Sequence, residues 1–408
     1  MSVVFFTHAY PPLKYPRAIQ ISRLVKYSRH QIRVACCQES SPVDFSLLAN
    51  DGGKASEKLI FERHFIFDHK RLSNLLDGSY FFEFMQLPDL YRPWAMKTAS
   101  QLIRDRAIEA RDVLVTFGQP MSNHLAGIRI KRSVGMPWIA HFSDPWADSP
   151  YRYQRTLIHW LNGRMERRVV ENADRVIFTS QETLDLVMRK YPSEWMSKAR
   201  VIPHCFDPEL FGSDQALDPG VTLRYLGGFY KPRTPNTLIQ ALVRLHREQP
   251  DILRDVRIEL IGTIANDVEL VAAYRELPPG LLTFRASVDY ATSLKLMGSA
   301  AALLVIDAPF DESVFLPSKL IDYLGAGRPI FAISPPGASA ELVSRLGGLV
   351  ANPRDVDDIA AKLIRLIESV RTMPGADNRD PGVVRQQYSA SGVTARFDEI
   401  VDELMTQY

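Results

Sequence analysis

The sequence is poor in cysteine and contains no long hydrophobic run. Its 408 residues include three cysteines, Cys36, Cys37 and Cys205, whose spacing matches no metal-binding motif. This composition excludes a disulfide-stabilised scaffold, and we expect three reduced thiols in the core of a cytoplasmic protein. The longest apolar stretch, residues 300–306, is too short to cross a bilayer. The apolar N-terminal run has no basic segment before it and is too short for a signal peptide, so it predicts a first buried strand.

The chain also lacks a large net charge, internal repeats and low-complexity segments. Its formal net charge is +2, and the absence of a repeat period excludes a solenoid. The charge is unevenly distributed, because residues 1–200 contain 29 lysines and arginines against 20 acidic residues, whereas the remainder contains 20 against 27. A basic N-terminal half favours contact with an anionic partner, such as a membrane surface, a lipid phosphate or a nucleic acid. Basic residues scattered over a solvated surface are the alternative.

The sequence does contain a regular alternation of short apolar strands and amphipathic helices. Strands are predicted in the first half at residues 3–7, 32–37, 112–117, 137–142 and 175–180, and in the second half at residues 222–227, 256–262, 281–286, 301–306 and 328–333. This alternation predicts an α/β protein whose parallel sheets carry helices on both faces. The chain is too long for one core, and we predict two doubly wound domains, residues 1–205 and 206–385, followed by a helix in residues 386–408 that packs back towards the first domain.

Two loops in the second half have the chemistry of a nucleotide site, since ligands of doubly wound sheets bind in the loops that follow strands. Lys231 and Arg233 lie between two prolines just before a helix begins, and a guanidinium with helix N-terminal amides suits a diphosphate. A solvated basic turn is the alternative. Ser318 begins another helix, in which Lys319 suits a phosphate. Asp322, one turn later, is expected to reach outward and accept hydrogen bonds from a ribose.

Two loops in the first half are also unusual. The segment AHFSDPWADSP places His141 and Asp144 beside a serine and a tryptophan after a predicted strand. We predict that both residues act in catalysis, although Asp144 could cap a turn and His141 could be a hydrogen-bonded core residue. Arg17 begins a helix after the first strand and is expected to meet a ligand phosphate or a carboxylate across the cleft between the domains.

Motifs along nearly the whole chain resemble glycosyltransferase family 4. The resemblance rests on YPP near the N-terminus, SDPW in the middle, VIPHCFDPELF at the domain boundary, YLGGFYKPRTP after it and PSKLIDYLGAGRPI near the C-terminus. It implies the GT-B fold, in which two Rossmann-like domains face each other, and a reaction that retains the anomeric configuration of the transferred sugar. It also implies that Asp322 binds the donor ribose and that the N-terminal domain is the acceptor side.

Two positions depart from the pattern of the family. Its members normally have an acidic residue eight positions before the ribose-binding acid, but that position is Val314 here, and Glu312 is close by but out of register. Its members also commonly have a glycine-rich loop after YPP, whereas this chain has LKYPRA. Either Lys14 and Arg17 replace the backbone contact with side-chain charge, or the donor pocket is closed differently.

The resemblance further implies that cations and helix N-termini bind the diphosphate, so we expect neither a metal ion nor a cofactor. Asp355 and Asp357 form a D-x-D pattern, but they lie at a predicted helix start, where capping explains them. The predicted activity is therefore hexosyl transfer from a nucleotide-diphosphate sugar, with Arg233 and Lys319 stabilising the departing diphosphate.

Other classes of function remain open. A non-catalytic nucleotide-sugar-binding or scaffold protein is the main alternative, because Val314 and the missing glycines would permit it. A sugar-nucleotide epimerase and a phosphorylase on a related fold are further alternatives. Incubation with nucleotide-sugars, with and without an acceptor extract, separates these classes.

Two segments of the basic half combine aromatic side chains with cations, residues 79–94 and residues 151–168. Aromatic residues at an apolar boundary with cations nearby are typical of interfacial proteins. We therefore expect an anionic membrane surface, at the cytoplasmic face, and a sugar or lipid-linked acceptor as in cell-surface polysaccharide or glycolipid assembly. We expect no nucleic-acid partner. Burial of these aromatic residues, with the arginines paired inside the protein, is the alternative.

Overall fold

The computed structural model describes residues 1–38, 43–49, 52–62, 84, 87–151, 156–212, 216–266, 268–375 and 383–407. The chain divides into two compact units. The first unit consists of Met1–Pro203 together with Ala390–Tyr408, and the second unit consists of His204–Ser389. Each unit is an α/β structure with its own sheet and its own hydrophobic core.

The first unit contains a parallel sheet in the order β3-β2-β1-β4-β5-β6-β7. Its described strands are β1 (Val3–Phe6), β2 (Ile32–Gln38), β3 (Glu57–Glu62), β4 (Val113–Phe117), β5 (Trp138–His141), β6 (Arg175–Phe178) and β7 (Ala199–Val201). Its described helices are α1 (Pro16–Tyr27), α2 (Arg92–Arg104), α3 (Ser122–Val134), α4 (Thr156–Asn172), α5 (Gln181–Met188) and, from the C-terminus of the chain, α12 (Ala390–Gln407).

The second unit contains a parallel sheet in the order β10-β9-β8-β11-β12-β13. Its described strands are β8 (Val221–Leu226), β9 (Val256–Ile261), β10 (Leu282–Arg285), β11 (Ala302–Ile306), β12 (Ile330–Ile333) and β13 (Leu349–Ala351). Its described helices are α6 (Asn236–Glu248), α7 (Tyr290–Ser299), α8 (Ser318–Ala326), α9 (Ala338–Arg345), α10 (Val356–Thr372) and α11 (Val383–Tyr388).

The central strands are continuous apolar runs because both faces of each sheet are covered. Every residue of β1, β4, β8 and β11 is buried. Helix α6 shows how the covering layer forms, since Leu238, Leu242 and Leu245 recur at helical spacing and are at most 2% exposed. All three cysteines are buried thiols, as the composition predicted.

Both sheets reverse their strand order at one place. In the first unit, chain order runs outward from β1 through β2 to β3, and the next strand, β4, pairs with the other side of β1. The second unit repeats this arrangement, with β8 at the centre and β11 on its other side. Doubly wound sheets bind their ligands outside the carboxyl ends of the strands at such a reversal. The fold therefore marks the ends of β1 and β4, and those of β8 and β11, as ligand sites.

No described helix is both long enough and apolar enough to cross a membrane.

Helix α12 belongs to the first unit, although the second unit separates it in sequence from α1. The carboxylate of Asp398 is 2% exposed and accepts a hydrogen bond from the Ser28 hydroxyl at 2.7 Å and from the Arg29 backbone N–H at 2.9 Å. The Phe397 ring packs edge-on against Phe5 of β1, with 5.8 Å between centroids. Asp398 therefore satisfies polar groups at the C-terminal end of α1.

We expect Asp398→Ala to lower the free energy of unfolding of the first unit by about 1–3 kcal/mol, because it leaves two donors without their acceptor. Asp402→Ala is the matched control, since Asp402 is on the same helix but is 43% exposed where it pairs with Arg29. That change should cost about 0–1 kcal/mol. Urea unfolding followed by tryptophan fluorescence measures both variants. Equal effects of the two changes would contradict a special role for Asp398.

Candidate functional site

An ion pair joins the ends of β8 and β11, at the reversal of the second sheet. Arg233 lies in the loop between β8 and α6, and Asp307 directly follows the last residue of β11. The Arg233 Nη2 atom is 3.2 Å from Asp307 Oδ1, and the two side chains are 14% and 3% exposed. A guanidinium is therefore present at the position in the fold where a ligand is expected.

Asp307 also collects hydrogen bonds from neighbouring loops. The Ser334 hydroxyl, which follows β12, donates to Asp307 Oδ2 at 3.0 Å, and the Ser313 hydroxyl lies 3.5 Å from the same oxygen. Burial raises the pKa of the nearby Tyr225 to about 12, and the charge of Arg233 opposes this shift. The phenol is therefore protonated at neutral pH. The loops after three adjacent strands thus meet at one carboxylate, which holds the guanidinium of Arg233.

Helix α8 carries three of the predicted donor-binding residues. Ser318 and Lys319 form its first turn and are half-buried. Asp322 is only 4% exposed, and the Tyr290 hydroxyl donates to its Oδ1 atom at 3.3 Å. The expected outward direction of Asp322 is therefore corrected, because its carboxylate is buried, and a hydrogen bond offsets the cost of removing it from water.

The other predicted positions of the second unit lie in the loops that precede α6 and α8. The Tyr323 hydroxyl accepts a hydrogen bond from the Leu226 backbone N–H at 2.8 Å, which fixes α8 beside the end of β8. Lys231 and Glu312 are exposed, whereas Val314 is 7% exposed. Position 314, where the family pattern has an acidic residue, is therefore occupied by a buried apolar side chain. The buried carboxylate that pairs with Arg233 is Asp307, seven residues earlier in the chain.

In the first unit, Arg17 lies at the reversal between β1 and β4. Its guanidinium donates from Nε to the carbonyl oxygen of Gly118 at 2.8 Å, and from Nη2 both to that oxygen and, at 3.4 Å, to the carbonyl oxygen of His141. The Ser143 hydroxyl also donates to the Gly118 carbonyl, at 3.0 Å. Arg17 thus binds backbone atoms of its own unit, a use that the sequence did not predict.

The loop after β5 divides into a polar part and a core part. His141 is 3% exposed with its ring 5.2 Å from that of Phe117, and Asp144 is half-buried with its Oδ2 atom 3.4 Å from the Ser143 hydroxyl. Trp146 is 1% exposed and donates to Asn162, so its presence in this loop is explained by packing. Arg17 lies near both residues, since it donates to the backbone carbonyl of His141 and its charge interacts with Asp144.

His124 is a further residue of this region that the sequence did not single out. It is fully buried on α3, and its Nδ1 atom is 2.8 Å from the Thr116 hydroxyl, which accepts a hydrogen bond from Trp138 Nε1 at 2.9 Å. Burial, together with the charge of Arg17, lowers the pKa of His124 to about 3, so the ring is neutral. A single helical histidine without a motif offers no sequence signal.

Helix α4 presents an apolar and basic surface. Leu157 and Trp160 are 48% and 53% exposed, and the Arg164 guanidinium lies 4.8 Å from the centroid of the Trp160 ring. Arg167 and Arg168 are exposed on the following turn. This α4 surface lies within the predicted segment 151–168.

The other predicted interfacial segment, residues 79–94, lies largely outside the described residues. Trp94 at its end is 1% exposed and belongs to the core of the first unit, so it is not an interfacial residue.

Among the described residues, no group of three or more histidine, cysteine or acidic side chains is arranged to hold a metal ion. The D-x-D pattern is a helix cap, as predicted, since the Asp355 side chain accepts hydrogen bonds from the backbone N–H groups of Asp357 and Asp358.

The chain is similar to known proteins in both sequence and structure. Residues 21–210 match the family model described as Glycosyltransferase Family 4. The D-inositol 3-phosphate glycosyltransferase of Kribbella flavida is 27% identical over 228 residues, which cover 52% of this chain and 51% of that protein. The chain therefore matches about half the length of this curated relative.

Solved structures resemble the whole chain. HepE of Anabaena, solved in complex with UDP, has a TM-score of 0.67 at 14% identity and is matched over 99% of this chain and 100% of its own. Sucrose-phosphate synthase of Thermosynechococcus elongatus has a TM-score of 0.66 at 13% identity and is matched over the full length of both chains. These likenesses establish the fold, which is GT-B. Residues 21–210 are therefore similar in sequence to glycosyltransferase family 4, and the whole chain has the GT-B fold.

Proposed function

We propose that this chain is a glycosyltransferase that binds a nucleotide-diphosphate sugar in its second unit and transfers the sugar to an acceptor hydroxyl. The observation that carries the proposal is the guanidinium of Arg233, held by Asp307 at the reversal of the second sheet. Helices α6 and α8 follow β8 and β11, so their N-terminal ends lie at the same edge of that sheet and favour an anion there. The match of residues 21–210 to the model of glycosyltransferase family 4 supports the same function, as does the likeness to HepE, which was solved with UDP.

The charges in this region suit the departing diphosphate. Breaking the bond between sugar and phosphate develops negative charge on the nucleotide and positive charge on the anomeric carbon. Arg233, Lys231, Lys319 and the amides at Ser318 would stabilise that negative charge, which is the electrostatic contribution that usually dominates catalysis. We propose that these groups do so without a metal ion, and that the only further molecule the reaction needs besides the acceptor is the donor itself.

We propose that the first unit is the acceptor side and that the reaction retains the anomeric configuration. The acceptor hydroxyl then attacks from the face of the leaving group, and the departing phosphate takes its proton, so the protein need not supply a catalytic carboxylate. His141 and Asp144, which lie together at the end of β5, would position the sugar or the acceptor.

We further propose that the enzyme works at the cytoplasmic face of an anionic membrane, on a sugar or lipid-linked acceptor, in cell-surface polysaccharide or glycolipid assembly. The α4 surface supports this proposal, because a half-exposed tryptophan and leucine beside three exposed arginines fit an interface between lipid chains and anionic headgroups.

Exchange of Arg233 tests the donor site. The double variant Arg233→Met/Asp307→Asn removes both charges of the pair, so that no buried carboxylate is left unpaired. The ligand is the nucleoside diphosphate that stabilises the wild type most in a thermal-shift panel. The double variant should bind it with a free energy of binding that is weaker by about 1.5–3 kcal/mol. Calorimetric titration measures this loss. Arg244→Met on α6 is the control, because Arg244 is exposed and pairs with Glu248. Unchanged affinity in the double variant would remove Arg233 from the donor site.

Exchange of Asp322 should affect a different part of the nucleotide. We propose that Asp322, although it is buried, contacts the ribose of the donor. Asp322→Asn should then weaken the nucleoside and its diphosphate by the same factor, because the ribose is common to both, whereas the Arg233 variant should weaken only the diphosphate. Competition binding with the nucleoside and the diphosphate distinguishes the two patterns. Tyr290→Phe removes the hydrogen bond to Asp322 but keeps the carboxylate, and should weaken both ligands less. Normal nucleoside binding by Asp322→Asn would contradict the proposed ribose contact.

Exchange of His141 or Asp144 should reduce turnover more than folding. We expect His141→Ala and Asp144→Ala to keep their nucleotide affinity and to lose transfer by roughly 100-fold, because a group that orients a reactant is removed. Steady-state kinetics and circular dichroism measure the two effects. Asp148→Ala is the control, since Asp148 lies in the same loop but pairs with Lys190. If either variant unfolds while nucleotide affinity per folded molecule stays normal, that residue is structural.

Sedimentation with lipid vesicles tests the membrane proposal. The chain should bind phosphatidylserine vesicles at low salt and release them at high salt, and it should bind phosphatidylcholine vesicles weakly. Arg164→Gln should weaken this binding by about 1 kcal/mol, the usual contribution of a cation near an anionic surface, and Trp160→Ser should weaken it on both lipids. Arg111→Gln makes the same charge change at an exposed position away from α4 and should have no effect. Absence of binding to anionic vesicles at low salt would favour a soluble acceptor.

A further inference from the structure

One backbone oxygen joins three segments of the first unit. The carbonyl of Gly118, directly after β4, accepts hydrogen bonds from Arg17 at the start of α1 and from Ser143 in the loop after β5. The same guanidinium also donates to the carbonyl of His141, the last residue of β5. Arg17 therefore ties together the ends of two adjacent strands, beside the residues proposed to act on the acceptor.

The surroundings of Arg17 favour this fixed role. Burial lowers its pKa to about 10, while the nearby Asp144 opposes the shift, so the guanidinium is charged at neutral pH. Its carbon atom Cζ lies 5.5 Å from the centroid of the Phe117 ring. Two nitrogen atoms of the fork bind carbonyl oxygens at the same time, which the single ammonium group of a lysine cannot reproduce.

The backbone at Gly118 also passes close to other side chains. A Cβ atom added at this position would lie 2.8 Å from His124 Nε2 and 2.8 Å from Met121 Sδ, both too close for a methyl group. The neutral imidazole of His124, which contacts the Thr116 hydroxyl, therefore occupies the space next to Gly118. The carbonyl bound by Arg17 thus belongs to a residue at which a side chain would meet His124 and Met121, so glycine is required for the backbone to pass here.

We propose that Arg17 is a positioning residue that holds the loops after β4 and β5 in the arrangement in which His141, Ser143 and Asp144 act. The inference rests on the proposed transferase function. This positioning role replaces the contact that the sequence predicted between Arg17 and a ligand phosphate or a carboxylate. Arg17 contributes to turnover through the geometry of these loops and leaves the affinity for the nucleotide unchanged.

The test compares Arg17→Gln and Arg17→Lys with the wild-type chain. We expect Arg17→Gln to lower kcat by roughly 100-fold, since small displacements of orienting groups have effects of this size, with the donor KM and the nucleotide Kd unchanged. Arg17→Lys keeps the positive charge but loses the forked guanidinium, so its kcat should lie between those of the wild type and Arg17→Gln. Arg29→Gln makes the same charge change near the other end of α1, where Arg29 is 54% exposed, and should keep the wild-type kcat.

Nuclear magnetic resonance gives a readout that does not require turnover. In Arg17→Gln, the amide signals around Gly118 and His141 should shift, and the pKa of His124 should rise from about 3 because a nearby positive charge is lost. In Arg17→Lys the amide signals should shift while the pKa of His124 stays low. If Arg17→Gln does not fold, Arg17→Lys alone still tests the proposal through its kcat and amide signals.

The outcomes separate this proposal from the proposed function. Wild-type kcat in Arg17→Gln, or unshifted amides, would overturn the positioning role. A raised nucleotide Kd with unchanged kcat would restore Arg17 as a direct ligand contact. If the wild type transfers no sugar to any acceptor, the proposed function fails, whereas shifted amides in both Arg17 variants would still show that Arg17 organises these loops.

Discussion

The arrangement of both candidate regions depends on the parallel pairing of a central strand with neighbours on each side. β1 pairs with β2 and β4, and β8 pairs with β9 and β11. Because right-handed crossovers leave the central strand in opposite directions, the loops at its carboxyl end diverge and open a gap there. Polar side chains in that gap can be partly removed from solvent without lying inside the core. The polar groups discussed above are found at these gaps because backbone topology creates the space for them.

The two units use their gaps in related ways. In each, an arginine that follows the central strand reaches the residue directly after the neighbouring strand: Arg17 reaches Gly118, and Arg233 reaches Asp307. The partners differ in charge, and this difference has consequences. Arg17 binds a neutral carbonyl, whereas the charge of Arg233 is offset by a buried carboxylate. Because Asp307 already offsets the charge of Arg233, an anion bound there needs attraction from helix N-termini or further cations as well. A diphosphate, which can contact several such groups at once, is therefore favoured over a singly charged ligand.

The fold followed from the sequence more completely than the site did. Each predicted strand is present within one or two residues of its predicted ends, because central strands of a doubly wound sheet are unbroken apolar runs. The strands that were not predicted, β3, β7 and β13, lie at sheet edges or are three residues long. The motifs also located the strand-end loops. The motifs could not supply the surroundings of each side chain. The burial of Asp322 depends on how α8 packs, and the ion pair between Arg233 and Asp307 depends on the order of the strands.

Asp307 and His124 show the physical limit most clearly. Asp307 lies between two apolar residues and His124 follows Ser122 and Asn123, and in sequence neither differs from an ordinary loop or helix residue. Their significance arises from contacts with residues on other elements. Asp307 pairs with Arg233 in the loop after β8, and His124 contacts Thr116 of β4, which accepts a hydrogen bond from Trp138 of β5. A periodic pattern reports burial, but it does not report which distant group satisfies a buried polar atom.

The position of α12 changes how the charge of the chain is interpreted. Residues 390–408 contain one arginine and four acidic residues, and they belong to the first unit, whose N-terminal sequence carries the positive excess. Asp402 pairs with Arg29, and Glu403 pairs with Arg175. Part of the excess that the sequence assigned to a partner is therefore balanced inside the protein. The exposed arginines of the α4 surface lie on another helix, next to exposed apolar side chains. The argument for an anionic partner consequently rests on this one surface and its combination of charge with apolar area, because the total charge of the N-terminal half overstates what is available for binding.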